Sequence, residues 1–137
     1  MARLESRARA RALQALYAWD VRGREGLERV AAQTWDDLRV GPEERRLAGQ
    51  LVGVMVKDGD AVDRELAEVT TNWRLERLGA IERCVLRLAA AELRRGETPP
   101  KVVIQEAVHL AERYGSAQSA RFVNGVVDAL ARRLGRL

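Results

Sequence analysis

The chain has one cysteine, one histidine and one phenylalanine in 137 residues, three prolines, and only two lysines among its 24 basic residues. Each scarcity excludes something. A lone Cys84 forbids an internal disulfide or a cysteine-built metal cluster, and its place on an apolar helical stripe makes it a small buried hydrophobe. A lone His109 cannot furnish a di-iron bundle. Glu106 precedes it at Glu-x-x-His spacing, but such sites need that pair on two helices, so His109 reads as a polar group on a helix surface. No glycine-rich phosphate loop, nucleophile elbow or zinc spacing occurs, so no enzyme, metal or cofactor is expected. No apolar run approaches the roughly 20 residues that cross a bilayer, and the basic start lacks the apolar stretch of a secretory signal. A single cytoplasmic domain over residues 1–137 is the expectation.

What is present is helical. Ala, Leu, Arg and Glu dominate, and alternation of the strand type is missing. Apolar spacing predicts helices over about 3–21 and 27–38. A third starts at Pro42 with acids in its first turn and weakens at Asp58-Gly59-Asp60, and a fourth covers about 60–70. A fifth, over about 78–95, is apolar around so much of its circumference that it should be central. Pro99-Pro100 opens a sixth that ends at Gly115, and Ser116 or Ser119 starts the last. Short connections between them imply a compact all-α bundle.

Charge is unevenly placed. Residues 1–24 hold Arg3, Arg7, Arg9, Arg11, Arg22 and Arg24 against Glu5 and Asp20, so their net +4 equals that of the whole chain. On the first helix, Leu4, Ala8, Ala12, Ala15, Leu16 and Trp19 share one arc. Arg3, Arg7 and Arg11 step along the opposite side, Arg9 lies on its far border, and Tyr17 falls in the polar arc. Guanidiniums beside an exposed aromatic suit single-stranded RNA, pairing with phosphates and stacking on bases. A merely solvated Arg-rich face has the same pattern, and residue types alone leave both open. One oddity is Asn124-Gly125, a turn pair inside the helical pattern of Val123, Val126, Val127, Leu130 and Leu134. A helical glycine costs about 1 kcal/mol against alanine, and close approach of a neighbouring helix over Gly125 is the expected compensation. Phe122, beside this pair, is free on the residue pattern to pack inward or to stand out with Arg121.

Three stretches in order, RARARALQALYAWD, RLGAIERCVLRLAAAELR and PPKVVIQEAVHLAERYGSAQSARFVNGVVDAL, resemble the NusB family of transcription antitermination factors. The resemblance implies six to seven helices arranged as two packed three-helix bundles. It also implies an accessory factor of bacterial RNA polymerase that binds boxA RNA of ribosomal RNA operons with the ribosomal protein NusE, inside an antitermination complex. By position, Arg3, Arg7, Arg9, Arg11 and Tyr17 match the RNA-contacting helix, and Phe122 an aromatic near the RNA. Glu82 matches a NusE contact, and Gln118 stands where some relatives carry an acid. Two other readings are an RNA-binding domain of an RNA cytosine methyltransferase and a protein–protein adaptor without RNA contact. The resemblance is compatible with a monomer or a homodimer.

Overall fold

The computed structural model describes residues 3–70 and 74–137. Its described residues form α1 (Leu4–Val21), α2 (Leu27–Asp37), α3 (Pro42–Val69), a 3₁₀ turn (Leu75–Arg77), α4 (Ala80–Arg95), α5 (Pro100–Tyr114) and α6 (Ala117–Arg133), with no strand among them. Pro42 and Pro100 occupy the first turns of α3 and α5, where a missing N–H costs nothing. Gly96 closes α4 in the left-handed region, at φ 78°. Ser116 caps α6, its hydroxyl accepting from the Ser119 amide at 3.1 Å.

Helices α1, α2 and α3 pack on one another, as do α4, α5 and α6, and the two three-helix groups meet mainly through α1 and α3 against α4. Every residue of α4 from Arg83 to Leu93 is buried. That helix is the centre its apolar circumference predicted. Trp35 of α2 is buried and donates its indole N–H to the Arg11 carbonyl at 2.9 Å, fixing α2 along α1.

Of two further expectations, the first holds and the second needs correction. The third and fourth predicted helices are two helical segments within α3, and Asp58, with a non-helical φ of −123° and ψ of 22°, makes the kink between them. Ala48, Leu51, Val52 and Met55 before the kink and Val62 and Leu66 after it are all buried, so both segments turn an apolar stripe to the core.

The second concerns Gly125. It is exposed, as is Asn124, and a Cβ placed there would meet nothing within 4 Å. Among the described residues no neighbouring helix approaches it, so its cost is uncompensated there. Gly125→Ala is therefore expected to stabilise the fold by roughly 0.5–1 kcal/mol, read as a raised urea midpoint at unchanged m value.

Candidate nucleic-acid interface

Helix α1 is buried more widely than its apolar residues suggest. Ala8, Arg9, Ala10, Ala12, Leu13, Ala15, Leu16 and Asp20 are all covered, because α2, α3 and α4 each pack on it. What remains outward is a narrow stripe along the helix. Arg3 is exposed, the Arg7 and Arg11 side chains are 42% and 30% accessible, and Tyr17 is 41% exposed.

The stripe has its own counter-ion. Glu44, in the first turn of α3, accepts from Arg7 Nε at 2.7 Å and from Arg11 Nε at 3.2 Å. The Arg7 hydrogen bond, with that of Arg11, outweighs partial burial and holds the Glu44 carboxyl below its ordinary value. Arg11 also donates from Nη1 to the Gln14 amide oxygen at 3.2 Å. Gln14 in turn donates to the Tyr114 hydroxyl at 3.4 Å, and the Arg113 guanidinium lies 5.1 Å from the Tyr114 ring centroid. The polar stripe thus continues from α1 onto the end of α5.

Arg9 departs from expectation. It is 7% exposed and points between α4 and α5. Its Nε and Nη2 engage Glu92, at distances down to 2.6 Å, and its Nη1 donates to Glu106 at 3.1 Å. Burial alone would lower the Arg9 pKa, but the two carboxylates raise it instead. With its donors spent on an internal ion pair, Arg9 is a strut of the fold and does not face outward with Arg7 and Arg11.

Phe122, Glu82 and Gln118 come together elsewhere. They line a shallow hollow of about 370 Å³ with Arg77, Leu78 and Ser119, where the starts of α4 and α6 meet. Phe122 is half-buried, packing on the core with one side and facing the hollow with the other. Glu82 accepts from the Ser119 hydroxyl at 2.6 Å, and Gln118 is exposed. The hollow therefore offers an apolar wall, a fixed carboxylate, an exposed amide and the exposed Arg77 guanidinium, a mixed surface suited to a protein partner with both polar and apolar groups.

His109 is exposed on α5, and among the described residues no three His, Cys, Asp or Glu side chains converge as a metal would need. Cys84 is fully buried, and desolvation pushes its thiol up to about 12, well away from thiolate reactivity. Three contributors to the stripe are not evident from the residue pattern: Glu44, Arg113 and Tyr114. Glu44 reads as an ordinary acid in a helix's first turn, and Tyr114 as the last residue before a capping glycine. Neither local pattern reveals a contact with a helix 33 or 100 residues away.

A family model described as the NusB family matches residues 6–132. The transcription antitermination protein NusB of Sorangium cellulosum is 45% identical over 133 residues, covering 96% of this chain and 94% of that protein. A structure of T. maritima NusB superposes with a TM-score of 0.86 at 30% identity, covering 96% of this chain and 93% of that one. A crystal structure of antitermination factors NusB and NusE in complex with double-stranded RNA superposes with a TM-score of 0.87 at 29% identity, covering 97% and 99%.

Proposed function

The chain belongs to the NusB family, and from that premise we propose that it is a transcription antitermination factor that binds boxA RNA together with NusE. In this reading the protein is one NusB-like domain that works in the cytoplasm within an RNA polymerase antitermination complex and catalyses no reaction. No helix among the described residues is long and apolar enough to cross a membrane.

The observation that carries the reading is the outward stripe of α1. Arg3, Arg7 and Arg11 lie along it in order, with Tyr17 at the far end. RNA laid on this stripe would meet guanidiniums for its phosphates and a phenol face for a base. Phe122, half-exposed in the hollow, offers a second ring, and Glu82 with Gln118 supplies the polar part of a surface for NusE. The methyltransferase-domain alternative gains no support, since the curated relatives are matched over nearly their whole length.

The test is fluorescence anisotropy with labelled boxA RNA and a scrambled control, with and without NusE, across a salt series. Wild-type chain is expected to prefer boxA, to bind it more tightly with NusE, and to weaken steeply with salt. Arg7→Ala/Arg11→Ala should weaken boxA binding about tenfold or more and flatten the salt slope by about 0.7 for each phosphate no longer neutralised. Thermal stability should hardly move, because partly exposed ion pairs contribute little. A matched loss of fold, or RNA affinity indifferent to both substitutions, would refute the assignment of this face.

A further inference from the structure

We propose that Glu44 sets the RNA selectivity of the α1 surface, an inference that rests on the RNA reading of that surface. One carboxylate serves two arginines one helical turn apart, each through Nε: Arg7 at 2.7 Å and Arg11 at 3.2 Å. Glu44 itself is held in place. It lies in the first turn of α3, where the helix dipole favours an acid, and its side chain is only 17% accessible. It forms a post beneath the two guanidiniums, and their side chains remain 42% and 30% accessible.

Two consequences follow, and both favour discrimination. Long arginine side chains lose much rotamer freedom when they dock on phosphate, and a prior tether removes part of that cost. A fixed separation between two guanidiniums also fixes the register of the strand they hold, which is how phosphate contacts serve base readout without making it. The carboxylate meanwhile cancels one of the two positive charges, so the pair attracts indiscriminate polyanion less strongly. Removing Glu44 should weaken the correctly registered complex and strengthen the unregistered one. Whichever effect is larger, the ratio between boxA and scrambled RNA must fall. Glu44 is a positioning residue that never needs to touch the RNA.

The experiment measures boxA and scrambled-RNA affinities in the presence of NusE across a salt series. Wild type is compared with Glu44→Gln and Glu44→Asp, alone and in the Arg7→Ala/Arg11→Ala background. Glu44→Gln is expected to lower the boxA preference about three- to tenfold and to steepen the salt slope for scrambled RNA. Glu44→Asp keeps the charge but is one methylene short of reaching both arginines. It should lose preference as well, with its salt slope unchanged. In the double-alanine background neither substitution should alter the remaining preference, and unfolding midpoints confirm that each variant folds.

A wild type that prefers boxA, joined by variants that prefer it equally or more, overturns the inference while leaving the RNA reading intact. The same holds if Glu44→Gln still lowers preference once both arginines are gone. A wild type that holds both RNAs equally overturns the RNA reading and this inference with it.

Discussion

Asp20→Ala is expected to destabilise the fold by about 3–5 kcal/mol, enough to lower the thermal midpoint by roughly 10 °C or more. Asp20 lies in the last turn of α1 with its side chain 1% exposed, and a carboxylate there opposes the helix dipole. Two arginines from α4 reverse that penalty. Arg83 donates from Nε at 3.1 Å and from Nη2 at 2.5 Å, and Arg87 donates from Nη1 at 2.9 Å. The Arg87 side chain is as buried as the acid. Its other edge grips Asp63 of α3 at 3.0 Å, and its guanidinium lies 5.4 Å from the Trp19 ring centroid. Without Asp20, two cations in the centre of the molecule would be left with Asp63 as their nearest acid. Removing one partner therefore costs far more than the ion pair is worth in isolation.

The same network predicts a pH dependence of definite sign. Burial pushes the Asp20 carboxyl up, but Arg83 and Arg87 outweigh it and hold its pKa below the ordinary 3.8. A depressed folded pKa means that the stabilisation is fully present above the unfolded value and is lost as pH falls through the folded one. Urea titrations from pH 7 down to pH 3 should therefore show wild type losing stability below about pH 4. Asp20→Asn, already destabilised, should show a shallower decline in the same window. Equal slopes would mean that Asp20 does not titrate between the two states. A second effect is local. Arg83 also donates from Nη1 to the carbonyls of Leu78 (2.7 Å) and Leu75 (3.4 Å), so the segment bordering the Glu82 hollow is held by the same arginine.

How far the sequence reveals this molecule depends on which physical signal each feature leaves. Helix positions are legible because burial of an apolar stripe repeats every three to four residues, and prolines and glycines mark the ends. The centrality of α4 is legible for the same reason. The interruption of α3 is legible because Asp58-Gly59-Asp60 carries the local marks of a break, and Asp58 leaves the helical conformation there while Met55, Val62 and Leu66 on either side stay buried. Gly125 does mislead: a costly residue suggests a neighbour, and its surroundings are open. In the site, Arg3, Arg7, Arg11 and Tyr17 are legible as an outward file. Arg9 is not, because in an alternating RARARA run one arginine looks like another. What singles it out is the pair of acids at Glu92 and Glu106, brought beside it only by the packing of α4 and α5.

That difference makes Arg9 the sharpest test of how α1 divides its labour. Arg9→Ala is expected to cost about 3–5 kcal/mol, because Glu92, with its side chain 5% accessible, would fall back on the Thr98 hydroxyl at 2.8 Å. Removing both charges should behave differently. Arg9→Met with Glu92→Met replaces the pair by apolar groups of similar volume, and Glu106, 21% accessible, retains Ser6 at 2.6 Å and solvent. Such replacement is often neutral, so the double variant should recover most of the stability that Arg9→Ala forfeits. A double-mutant cycle completed with Glu92→Met would then show strong coupling between the two sites. RNA binding supplies the second readout. If α1 divides into an outward stripe and an inward strut, the stable double variant should hold boxA RNA within about twofold of wild type and with the same salt slope, since the outward arginines still neutralise the same phosphates. A folded double variant whose slope falls by about 0.7 would return Arg9 to the RNA-contacting set and require its side chain to swing out from between α4 and α5 on binding.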